Sequence, residues 1–165
     1  ARSGRPEAAA VDIAKLESLR DVLSAAGDKY WAGQVEIEVG AAKAWVAKAE
    51  GRTEDALRLM RGAADLEDAS EKSISMENRL FPMRELLGDM LLETGQPAAA
   101  LGAYEAALTR TPARLRSYHG AAIAAEKIGD AAKAKSYYRK IAAMCRAADT
   151  ARAELRDAQA ALVRR

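Results

Sequence analysis

Histidine and cysteine, the side chains most often recruited as general base and nucleophile, each occur once in this 165-residue sequence, as His119 and Cys145. Brought together, an imidazole and a thiol would make an activated nucleophile. Here they stand 26 residues apart, and no third residue is evident to orient the ring. Cys145 follows an alanine-rich stretch, the setting of a small core residue rather than a reactive thiol. A lone cysteine also excludes an intrachain disulfide. One histidine and one cysteine do not furnish the several Cys, His or carboxylate ligands that zinc requires. Asp65, Glu67 and Asp68 cluster near a helix end, where carboxylates are ordinarily solvated. No glycine-rich loop of the phosphate- or dinucleotide-cradling kind occurs. The inventory predicts no enzyme, no metal and no cofactor.

Composition points to helices. Half of the residues are apolar but only 5% are aromatic, and much of the apolar count is alanine, the strongest helix former. No segment alternates apolar and polar side chains over strand length, so β structure is not expected. The net charge of +2 is too small to argue for nucleic acid. It is unevenly spread: residues 81–165 hold 14 Lys+Arg against 9 Asp+Glu, and residues 1–80 hold 12 against 15. No apolar run reaches the ~18 residues of a membrane span. The N-terminal ARSGRPEAAA lacks the apolar core of a signal peptide, which favours the cytoplasm while leaving the compartment open.

The elements that would position any surface repeat at a step of 34. Leu87-Gly88, Leu91, Gly95, Ala100, Tyr104 and Ala107 return as Ala121-Ala122, Ala125, Gly129, Ala134, Tyr138 and Ile141. Small residues at 88 and 122 allow a second helix to cross closely. Gly95 and Gly129 end the first helix of each pair, because glycine takes the left-handed C-cap without penalty. Pro97 and Asp130 open the second helix. Tyr104 and Tyr138 fill the gap between successive pairs. The period and the residues at these positions resemble the tetratricopeptide repeat. The resemblance implies an all-α, right-handed α-α superhelix of helical hairpins closed by a C-terminal cap helix.

Read in order, the chain predicts a half repeat over 1–27, repeats over 28–70, 81–114 and 115–146, and a cap over 149–163, all in one domain. Gly4-Arg5-Pro6-Glu7 resembles Gly95-Gln96-Pro97-Ala98, so 6–26 reads as a second helix without its first, with Ala9, Ile13 and Leu16 at the repeat positions. That reading makes the chain the C-terminal part of a longer array. Asp28 is the expected N-cap of a helix over 28–50, whose Trp31, Val35, Ala42, Trp45 and Ala49 share one apolar face. Its close-approach pair falls on Lys43-Ala44. A helix over 53–70 follows, with Ala56, Met60 and Ala63 inward. Gly51 and Gly95 lie 44 residues apart, so 10 residues near 70–79 are inserted, read as a loop. Helices are then expected over 81–94, 97–110, 115–128 and 131–146. The cap helix turns Leu155, Ala158 and Leu162 to one side.

In the resembled family, first helices line a concave groove that holds a peptide. Carried onto this chain, the groove residues are Glu38, Trp45 and Lys48, then Glu85, Asp89 and Glu93, then Arg116, His119, Ile123 and Lys127. The surface would be acidic in its middle and basic toward its C-terminal end, suited to a peptide of mixed charge. The Lys/Asn/Arg clamp of the family's chaperone-binding members is missing, since Glu85, Asp89, His119 and Ile123 occupy its places. The implied function is a non-catalytic protein-interaction module with a protein or peptide partner. A homo-oligomer, or stacking on further repeats, through the open N-terminal helix is the alternative. Nucleic-acid binding through the basic C-terminal helices is a remote third, disfavoured because acids interleave with the basic residues.

Overall fold

The computed structural model describes residues 6–70, 81–149 and 152–163, and every regular element among them is a helix. These are α1 (Pro6–Ala25), α2 (Lys29–Ala49), α3 (Thr53–Ala69), α4 (Met83–Glu93), α5 (Pro97–Arg110), α6 (Leu115–Lys127), α7 (Ala131–Met144) and α8 (Ala153–Val163). They fall into two compact units, Ala1–Met83 and Arg84–Arg165. Gly4 and nearly all of the expected 70–79 insertion lie outside the described residues.

The helix ends follow from the sequence. Asp28 and Asp130 accept the backbone N–H of Trp31 (3.1 Å) and Lys133 (2.9 Å), occupying an amide that the first turn leaves open. Gly95 and Gly129 have φ of 76° and 83°. The next residue of each then donates back across the turn, Gln96 N–H to Leu91 C=O and Asp130 N–H to Ala125 C=O. That is the Schellman closure, which only a left-handed residue permits. The turn from α5 to α6 breaks the rule: Ala113, not a glycine, has φ 61°.

In the first unit α2 packs between α1 and α3. Its buried side chains include Ile37, Ala41, Ala44 and Ala47, spaced by four and three. They answer Ala56, Leu57, Met60, Ala63 and Ala64 of α3 and Ile13 of α1. This corrects the expected apolar face. Trp31 is 40% exposed, Val35, Ala42 and Trp45 are half-buried, and Ala49 is exposed. Alanines, not tryptophans, make the contacts, because small side chains let α2 lie close to two neighbours at once. A close approach lies at Gly40, where a Cβ would meet the Ala63 Cβ at 3.2 Å. Ala44 is fully buried as expected, and Lys43 turns aside to pair with Glu17 of α1 at 2.6 Å.

In the second unit the core is organised by Tyr104 of α5, which is 1% exposed. A Cβ added at Gly88 would stand 2.7 Å from its ring, and one added at Gly120 would stand 2.3 Å away. The ring is thus wedged between the backbones of α4 and α6, bridging one hairpin to the next as the repeat implies. Ala100, Ala107, Ala121, Ala122, Ala125, Ala134 and Ile141 are buried in the same unit. α8 lies on α7 and α6 and contributes two buried side chains, Ala158 and Ala161, with Leu155 and Leu162 half-buried.

Candidate functional site

In the first unit α2 leaves Trp31 and Glu38 exposed and Val35, Ala42, Trp45 and Lys48 half-buried. Spaced by four, three, four, three and three, they form one stripe along the helix. The two indoles are separated by 14 residues, or about 21 Å at the helical rise. Trp31 stands edge-on to Tyr30, centroids 5.2 Å apart. The Lys48 ammonium lies 5.7 Å from the Trp45 ring centroid, which fixes that indole by cation–π attraction. Glu38 is exposed between them. The sequence had placed Glu38, Trp45 and Lys48 on this surface. Trp31, Val35 and Ala42 join them, having been assigned to the core because they are apolar and in register.

In the second unit Glu85, Asp89 and Arg116 come together, paired with one another and their neighbours. Glu85 is fully buried. Its carboxylate accepts from Arg114 Nε (3.1 Å) and Nη2 (3.2 Å) and from the Ser117 hydroxyl, and Arg116 Nε lies 3.4 Å from it. Asp89 accepts from Arg116 Nη2 on one oxygen and from the Tyr104 hydroxyl at 2.8 Å on the other. Burial and the Asp89 charge together hold the Tyr104 phenol well above its ordinary value. Two acids on α4 are therefore consumed by two arginines from the α6 end of the next hairpin. The acidic middle expected of the groove is neutralised, and Glu93 is the member of that trio left exposed.

The α6 stripe runs Arg116, His119, Ile123, Lys127. Arg116 keeps 42% of its side chain exposed, Ile123 is half-buried and Lys127 is exposed. His119 Nε2 meets Asp157 Oδ2 of α8 at 2.9 Å and is only 18% exposed. Elsewhere on this unit, Glu105 of α5 accepts from Tyr137 (2.7 Å) and Lys133 (3.1 Å) of α7. Partial burial works against the Glu105 carboxylate, but these two donors outweigh it and hold its pKa below the ordinary value. The Lys140 ammonium sits 5.2 Å from both the Tyr118 and Tyr137 rings, a basic–aromatic cluster that the sequence reading had not foreseen.

The residues with catalytic potential are otherwise engaged or isolated. Cys145 is a free, half-buried thiol at the end of α7. Glu67 of the acidic cluster accepts the Met83 backbone N–H at 2.7 Å. Among the described residues no group of three His, Cys, Asp or Glu stands close enough to hold a metal ion. None of the described helices is long and apolar enough to cross a membrane.

No family model and no curated protein matches this chain. Among solved structures, it is similar to PcrH from Pseudomonas aeruginosa, with a TM-score of 0.58 and 19% sequence identity. The match covers 76% of this chain and 88% of that one. A likeness at this identity shows the fold alone: the chain is an all-α helical-repeat protein of the tetratricopeptide-like kind.

Proposed function

We propose that this chain is a non-catalytic protein-interaction module that takes a peptide segment of a partner protein along the α2 stripe. The observation that carries this reading is the Trp31–Trp45 stripe. Two indoles stay partly exposed on a helix that packs against both α1 and α3, and tryptophan is the side chain most enriched among residues that dominate binding energy. In the second unit, the α6 stripe of Arg116, His119, Ile123 and Lys127 and the exposed Glu93 offer a separate surface with charges of both signs. A partner segment would offer apolar anchors about 21 Å apart to Trp31 and Trp45, with charged residues between. The test is affinity capture from the native host with the parent chain, Trp31→Ala and Trp45→Ala, followed by titration of each captured protein in purified form. A partner that binds the parent and is at least tenfold weaker on either variant supports the reading. Equal binding by all three chains removes this stripe as the site.

One observation favours a second reading, self-association through α1. Val11, Leu19 and Val22 are 58%, 49% and 62% exposed along that helix. Light scattering over a wide concentration range decides it: a monomer throughout ends the self-association reading.

A further inference from the structure

The helix α8 was expected to be the cap that closes the array, but its placement on α6 gives it a second role. Its docking is thin. Only Ala158 and Ala161 are buried, both side chains of a single carbon, and Leu155 and Leu162 reach only half-burial. Its neighbours in the same unit are held differently: α4, α5 and α6 are tied by the wedged Tyr104 ring and by the Glu85–Arg114 and Asp89–Arg116 pairs. The one ionic contact that α8 makes with the rest of the unit among those described is Asp157 to His119. His119 is the middle of the α6 stripe, with Arg116 one turn before it and Ile123 one turn after. The result is that α8 engages one of the four stripe residues that the sequence placed on the C-terminal surface.

We propose that α8 is a displaceable strap that closes over the His119 portion of the α6 stripe and lifts when a partner uses that surface. The proposal rests on the docking reading above and adds regulation to it. A short helix anchored by two alanines opens on its own more readily than helices locked by a buried aromatic ring and buried ion pairs, since local openings are drawn from regions with few buried apolar contacts. Asp157 of α8 then stands in at His119 for an acidic residue that a partner would bring.

Native-state hydrogen exchange on the full chain tests the strap directly. The α8 amides are expected to exchange through an opening at least tenfold more populated than the one that exposes amides of α5 and α6, and to be insensitive to low urea. Exchange of α8 through the same opening as α5 and α6 overturns the proposal. His119 supplies a second readout, because it is the sole histidine of the chain. Carbethoxylation by diethyl pyrocarbonate should proceed at least threefold faster in Ala158→Asp, which loosens α8 without touching the ring, while exchange in α5 stays unchanged. An unchanged His119 rate in that variant, with α8 exchange accelerated, overturns the idea that the strap guards this residue. Should α8 share the opening of α5 and α6 while Trp31→Ala and Trp45→Ala still lose a partner, the strap falls and the docking reading stands.

Discussion

Glycines in this chain do opposite things according to what faces them. Gly88 and Gly120 leave room for the Tyr104 ring, whereas a Cβ at Gly62 or Gly102 meets nothing within 4 Å. Gly120→Ala should therefore cost about 1–3 kcal/mol by overpacking a ring that has backbone on both sides. Gly62→Ala, in an open helix interior, should gain about 1 kcal/mol through helix propensity. Urea melts of the two variants should move in opposite directions. Gly88 and Tyr104 were legible because their types or size classes recur 34 residues on. Gly120 was not, since the residue 34 earlier is Leu86 and the glycine serves only this one wedge. Glu85 was read as an acid of the groove because nothing in α4 itself neutralises it. Its partners Arg114 and Ser117 lie 29 and 32 residues later and become neighbours only when the hairpins stack. Truncation by Glu85→Ala would leave two arginines facing a buried gap, although both reach water. A loss of about 2–3 kcal/mol is expected, below the full cost of orphaning a buried ion. Tyr104 gives the fold an alkaline limit. Its phenol is held neutral in the folded chain by burial and by Asp89, while the unfolded phenol ionises near pH 10. Above that pH the unfolded state binds fewer protons, so stability falls as pH rises. Tyr104→Phe should flatten that fall in melts taken between pH 9 and about pH 11, at a cost near neutral pH of about 1 kcal/mol for the lost Asp89 hydrogen bond.

At the scale of the helix, boundaries were legible and faces were not always. Every described helix lies within two residues of its expected bounds except α8, whose start was expected at Asp149 and is found at Ala153. Caps and glycine turns act within a few residues, so a sequence displays them. The buried face of α2 depends on neighbours that a sequence does not display. Periodicity weights bulky side chains, and Trp31, Val35 and Trp45 mark a convincing apolar stripe. With α1 on one side and α3 on the other, the alanine-rich arcs are the ones that fit, and the bulky stripe is left outside. The α5–α6 turn offers a test of how local geometry supports this packing. Ala113 occupies the left-handed region, which costs an L-residue about 1 kcal/mol or more. It directly precedes Arg114, whose guanidinium grips Glu85. Ala113→Gly removes the strain but gives the unfolded chain more freedom. The net expectation is a gain of up to about 1 kcal/mol in chemical denaturation, with the Arg114–Glu85 contact retained. At Gly129, whose φ is 83°, alanine should cost about 1 kcal/mol by placing a Cβ in the left-handed turn.

For the molecule as a whole, charge and apolar surface propose different partners, and salt separates them. The sequence places an excess of Lys and Arg beyond residue 81. Part of that excess is spent internally, on Glu85 and Asp89 by Arg114 and Arg116 and on Glu105 by Lys133. Lys140 is drawn over two tyrosine rings of its own chain. A nucleic acid bound by what is left would release a counterion for each phosphate contacted, and its affinity would fall steeply with salt, by about a thousandfold or more between 50 and 200 mM for six to ten contacts. A protein segment anchored on Trp31 and Trp45 depends chiefly on apolar burial, which such salt hardly alters. A captured partner titrated against the parent chain by tryptophan fluorescence should therefore change its Kd by less than about threefold over that salt range, screening being confined to exposed charges. The indole emission should shift to the blue on binding, because the two half-exposed rings leave water. Loss of binding at 200 mM salt with no spectral shift would instead assign recognition to the basic residues of the C-terminal helices and remove the tryptophan stripe from the interface.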